Sequence, residues 1–157
     1  MPVRSKPRSC FEPYPCPYLN TGKGYVPPTA PKPPVLGAIV GQGPGAQEVA
    51  QGVPFFEKAP SGGFLSQLLE RAGLDRRRFL IDNVIRCRIG KDTTPDGAVA
   101  ECTTRHLFPT LEPIAAAYTQ REGRPLPVLA VGIPSARVLQ GGWAGQGTAG
   151  TLVEVVR

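Results

Sequence analysis

Long apolar runs are missing from this 157-residue chain, and so is an apolar core behind its basic first residues, MPVRSKPRSC. The first absence leaves no membrane-spanning helix and the second no signal peptide, so the sequence reads as that of a cytoplasmic protein without a membrane partner. In that compartment the four cysteines are not expected to form structural disulfides. Acids are in deficit as well: 12 against 18 lysines and arginines, with a formal net charge of +6 and a pI near 9.5. Such an excess suits a polyanionic partner such as nucleic acid, and equally a solvated basic surface. There is one histidine, His106, and no G-K-[ST] triplet to cradle a phosphate.

What the chain has in plenty is glycine and proline, 19 of each. Part of the excess lies in YVPPTAPKPP at 25–34, which reads as an extended polyproline tether rather than packed structure. It divides a basic, cysteine-containing segment with its tether, residues 1–34, from a domain spanning 35–157. Within the domain, VLGAIVG at 35–41 reads as a buried parallel strand, followed by a long loop from Gln42 to about Gly62. Phe64, Leu65, Leu68, Leu69 and Ala72 recur at helical spacing, with Gly73 as the stop. A second strand is expected over 78–85. A helix then opens near Pro95, and Pro109 and Pro113 should break or kink it. A third strand at 126–132, a short helix at its end and a last strand in GTLVEVV complete the pattern. Alternating strands and helices predict an α/β fold, three-layer α/β/α around a central parallel sheet. Ligands of such sheets bind at the carboxyl ends of the strands, which would bring the loop 42–56 to Asn83.

The loop VGQGPGAQE formally matches the dinucleotide fingerprint through Gly41, Gly43 and Ala46. That fingerprint needs a long helix to open at once, and Gly52 and Pro54 argue against one. The cysteines carry more. Cys10 and Cys16 precede the domain, while Cys87 and Cys102 follow the second strand and sit in the next helix. Four thiolates from separated segments suit a tetrahedral zinc site or an iron–sulfur cluster, and the wide, irregular spacing leans towards the cluster. Four unrelated buried cysteines are the plainer alternative.

These segments, in this order, resemble the uracil-DNA glycosylase superfamily, most closely its iron–sulfur (family 4-like) branch. GQGPGAQEVAQGVPF is similar to that family's first motif and SGGFLSQLLERAGL to the helix after it. IDNVIRCR resembles the N-V-x-x-C-R strand end, TPDGAVAEC the following helix start, and LAVGIPSARVLQG the third strand and helix. The resemblance covers residues 10–141. It implies a DNA repair enzyme that flips uracil out of DNA and hydrolyses its N-glycosidic bond. No lysine lies in either matching motif, so no covalent lysine intermediate is expected, and the protein is expected to be a monomer. On its motifs, Phe55 would stack on the base and Asn83 would read the uracil edge. Gly41 and Gly43 would let backbone approach base and sugar. Gln42, standing where the family usually has an acid, and Glu48 would serve catalysis. Cys10, Cys16, Cys87 and Cys102 would hold a [4Fe–4S] cluster, with zinc as the alternative. Arg86 and Arg88 would contact phosphates, with Lys91 and Arg105 as lesser candidates. The family's closing histidine–proline loop has no counterpart before Arg157, and His106 does not match it. The chain therefore reads as truncated ahead of that motif, with His106 structural or surface-exposed. The alternative function is a degenerate or truncated member that binds DNA or uracil without cutting.

Overall fold

Three short apolar strands set the architecture, because successive residues along each point to opposite faces of a sheet. The computed structural model describes residues 6–89 and 95–140, and the backbone of 153–156. Strands β1 (Gly37–Gly41), β2 (Phe79–Asn83), β3 (Val128–Val131) and β4 (Val153–Val156) form one parallel sheet in the order β2-β1-β3-β4. Ala38, Val40, Leu80, Val128 and Ala130 point to one face. They pack there with Ala98 of α3 (Asp96–Cys102), with Leu111, Ala115 and Tyr118 of α4 (Phe108–Glu122), and with Ala136 of α5 (Ile133–Val138). Ile39 and Ile81 point to the other face, against Leu65 and Leu69 of α2 (Pro60–Arg71) and against Phe55. Helices on both faces make the expected three-layer α/β/α arrangement, and β1 is buried along its whole length.

Four local expectations need correction. The loop after β1 contains a short helix, α1 (Ala46–Gln51), which ends at Gly52 in the left-handed conformation. Of the residues at helical spacing in α2, Leu65 and Leu69 are buried, whereas Phe64 and Leu68 stay exposed. Pro109 and Pro113 do not break the third helix. Pro109 lies in the first turn of α4 and Pro113 inside it, and the helix runs on through both; the irregularity is a π-helical segment just ahead, Thr103–Leu107.

The last correction concerns the tether. Tyr25 and Val26 are buried, and the segment is hydrogen-bonded along the free edge of β2. Thr29 and Ile81 exchange both backbone bonds (2.9 and 3.1 Å), while the N–H groups of Val26, Lys32 and Leu36 donate to Arg86, Arg77 and Arg78 carbonyls. Its prolines fall between those donors, where a missing N–H is tolerated, and the segment covers an edge that would otherwise be open to other chains.

Candidate functional site

The carboxyl ends of β1 and β2 are in register, Gly41 beside Asn83. The pairing continues past both strands, with the Val84 and Ile85 N–H groups donating to the Gly41 and Gln42 carbonyls (2.9 and 3.1 Å). What faces Gly41 is decisive. A Cβ there would lie 2.5 Å from Phe55 Cζ and 2.6 Å from Asn83 Oδ1, so the ring and the carboxamide meet over a backbone that only glycine can supply. Asn83 is 4% exposed. Its backbone N–H donates to Asp82 Oδ1 (2.8 Å), but no group among the described residues hydrogen-bonds its side-chain amide. A nearly buried amide with no partner among the described residues, held beside an aromatic ring, is poised for a planar ligand that offers both a donor and an acceptor.

Phe55 is held there at a cost. Its φ of +49 lies in the left-handed region, unusual for an aromatic residue. Arg76 secures it, donating to the Phe55, Pro54 (3.3 Å) and Gly62 (3.3 Å) carbonyls and to Ser66 Oγ (2.9 Å). Gly62 completes the joint, since a Cβ there would come within 2.0 Å of the Phe56 carbonyl oxygen. Arg76→Met is expected to destabilise the fold by about 2–3 kcal/mol, because it strands several carbonyls in a partly buried turn. Thermal unfolding checks this, and an unchanged midpoint would contradict the role given to Arg76. Nothing in the sequence singles out this residue, one of three consecutive arginines.

Gln42 and Gly43 are exposed, and a Cβ on Gly43 would meet only Ile85 at 3.7–3.9 Å, an ordinary contact. Glu48 is buried rather than facing solvent. It is the third residue of α1, and its Oε2 lies 2.7 Å from where a Gly45 Cβ would be, so the carboxylate folds back over the start of its own helix. A negative charge is favourable at that end.

All four cysteines, which are free thiols, line one cavity together with Lys6, Tyr25, Arg105 and His106. Burial pushes the Cys87 thiol up to about 11 and that of Cys102 to about 12, while burial and the neighbouring Cys16 raise Cys10. Binding a metal there would therefore release protons. Cys102 Sγ accepts the Arg86 backbone N–H at 3.3 Å. His106 is buried, not exposed. Its Nε2 lies 3.3 Å from Cys10 Sγ and its Nδ1 3.2 Å from Ser9 Oγ. Burial, then the charges of Arg86 and Arg105, lower its pKa to about 4, so the ring is neutral at physiological pH. Among the described residues no three His, Cys, Asp or Glu side chains are grouped to share one metal ion. A single zinc would need its sulfurs all about 2.3 Å from one point, whereas a cluster binds its thiolates further apart. Four thiols around one cavity, with a buried cation at its wall, fit the larger group better.

Arg86 is not a surface cation. It is 5% exposed, and its guanidinium grips Asp82 at 3.0 and 2.6 Å and also donates to Tyr25 Oη and Thr110 Oγ1 (both 2.9 Å). Burial opposes its charge, but the bonds and charge of Asp82 outweigh burial and push the guanidinium pKa up. Its expected phosphate contact is therefore withdrawn. The D-N-V-I-R spacing, acid to arginine at i and i+4, was the missed signal for this pair. Arg88 is half-buried and exchanges backbone bonds with Lys23. Lys91 lies outside the described residues, and Arg105 is turned inward to the cysteine cavity.

The family model described as the uracil DNA glycosylase superfamily matches residues 29–137. The chain belongs to that superfamily. The matched stretch holds the whole Gly41–Phe55–Asn83 constellation together with Cys87 and Cys102; Cys10 and Cys16 precede it. A type-4 uracil-DNA glycosylase of Pyrobaculum aerophilum is 32% identical over 101 residues, 64% of this chain and 46% of that protein. One from Thermotoga maritima is 41% identical over 57 residues, 36% of this chain and 29% of that protein. The chain thus spans less than half the length of the curated relatives it matches. No described helix of this superfamily member is long and apolar enough to cross a membrane.

Proposed function

We propose that this chain is a uracil-DNA glycosylase-like repair protein, acting as a cytoplasmic monomer on uracil-containing DNA and hydrolysing the N-glycosidic bond of a flipped uracil. The observation that carries the reading is the Asn83 amide, without a side-chain partner among the described residues, meeting the Phe55 ring over Gly41. A base leaving the stack recovers its lost stacking on an aromatic face. Asn83 Oδ1 accepts from uracil N3–H while its NH₂ donates to O4; cytosine presents the opposite pattern and leaves both groups unpaired. Breaking the glycosidic bond builds positive charge on the sugar, which nearby negative charge and a positioned water stabilise. Glu48 is the one acid of the loop 42–52 and supplies that charge. Gln42 orients the water but cannot carry charge.

Cys10, Cys16, Cys87 and Cys102 hold a [4Fe–4S] cluster in this reading. When bound, the cluster is a cross-link that ties the N-terminal segment to the domain. Stripping it with a chelator is expected to expose that segment to trypsin at Arg8 and Lys23 while the sheet persists; protection unchanged by chelation would contradict the cross-link.

Base choice tests the pocket. Asn83→Asp replaces the NH₂ donor by an acceptor. Preference for uracil- over cytosine-containing oligonucleotide should fall about a hundredfold, as expected for a lost buried hydrogen bond that also opposes an acceptor. An unchanged preference would remove Asn83 from recognition.

A further inference from the structure

Arg105 presents a problem that its protein contacts do not solve. Its side chain is 8% exposed on the π-helical segment, with Nε on Glu101 Oε2 at 2.9 Å. Nη1 donates to the Ser9 (3.0 Å), Tyr14 (2.9 Å) and Glu12 (3.4 Å) carbonyls, and the guanidinium lies 4.8 Å from the Tyr14 ring centre. Those contacts organise the loop that runs from Cys10 towards Cys16. Nη2 is different: it is sealed from solvent with no hydrogen-bond partner, the one side-chain nitrogen or oxygen so placed among the described residues. A buried, unsatisfied N–H on a cation is costly, and Arg105 lines the same cavity as the four cysteines. The neighbouring cation, Lys6, spends two of its three Nζ hydrogens on the Leu19 and Gly22 carbonyls. An apolar occupant of the cavity would leave this cation without a counter-charge on that side, whereas an anionic one would supply it.

We propose that Arg105 is the charge partner of the iron–sulfur cluster: Nη1 holds the loop that brings in Cys10 and Cys16, and the buried Nη2 faces the negative charge of the thiolate-bound cluster. This rests on the reading that the four cysteines hold such a cluster. It makes Arg105 a positioning residue, neither catalytic nor a phosphate ligand. A cation beside a cluster favours the more negative, reduced form, so it raises the reduction potential and slows loss of the cluster.

The test uses the full chain purified without oxygen, as wild type, Arg105→Met and Arg105→Lys. Iron and acid-labile sulfide are counted, loss of the visible absorbance in air is timed, and the reduction potential is titrated. Arg105→Met is expected to lose its cluster about tenfold faster, the effect of one charge-assisted hydrogen bond, and to be reduced at a more negative potential. Arg105→Lys should keep the potential near that of wild type, because the charge remains, yet lose the cluster faster because the fork on three carbonyls is gone. A purely structural arginine would leave the potential of any loaded variant unchanged, and that result overturns the proposal. If Arg105→Met does not fold, the Lys variant decides: a cluster as long-lived as that of wild type overturns it. Wild type with zinc, or with no iron and sulfide, instead refutes the cluster reading itself, and the inference falls with it.

Discussion

Gly41→Val is expected to abolish discrimination between uracil- and cytosine-containing oligonucleotides, lowering affinity for the uracil strand about a hundredfold while the protein stays folded. The reason is steric. Even the first carbon of a side chain at this position would lie 2.5 Å from Phe55 Cζ and 2.6 Å from Asn83 Oδ1, so ring and amide would both be displaced. Overpacking of this kind costs about 1–3 kcal/mol, and here the cost falls on the two groups that would hold the base. Gly43→Ala is the matched control, because its Cβ would meet only Ile85 at ordinary distance, and no change is expected. Fluorescence anisotropy with the paired oligonucleotides measures both variants. Equal losses at positions 41 and 43 would mean that the loop matters only through its flexibility, and the pocket would be wrongly placed.

Asp82→Ala should be the most destabilising single change in the site region. The Asp82–Arg86 pair is buried, its side chains 1% and 6% exposed, and removing the carboxylate leaves a guanidinium in the interior with no counter-charge. Breaking a buried pair in this way costs about 3–5 kcal/mol. A chain of this size has only about 5–15 kcal/mol in total, so the expected fall in melting temperature is about 10 °C. Asn83 should suffer too, since its backbone N–H donates to the same carboxylate. Arg86→Met gives the complementary result. Stability should drop, but the salt dependence of DNA binding should keep its slope, because a buried arginine releases no counterion from a phosphate. A shallower slope in Arg86→Met would restore Arg86 to the DNA surface.

The layout of the fold was legible because its signals are local. GAIVG, FLIDN and VLAV are short apolar runs that end in or beside glycine or asparagine, and alternation along them assigns each side chain to a face. That the loop after β1, with Phe55 in it, comes to Asn83 followed from the rule that parallel strands present their carboxyl ends to one crevice. What was not legible depends on contacts between distant segments. Nothing in LDRRRF distinguishes the arginine that grips the Phe55 turn from the two beside it. Arg86 reads as basic surface until Asp82 and Tyr25 are seen closing around it. The proline-rich stretch carries tether chemistry, and only the free edge of β2 turns it into part of the fold. The cysteines could be collected by resemblance, but their common cavity, and Arg105 in its wall, belong to the three-dimensional structure alone.

The most direct measurement is release of free uracil from an oligonucleotide containing a single uracil, read by chromatography, with protein purified without oxygen and Asn83→Ala beside it. Uracil released by the wild type and abolished in the variant is the predicted result. Release that survives Asn83→Ala, or a folded, cluster-loaded wild type that neither releases uracil nor prefers uracil-containing DNA, would contradict the account.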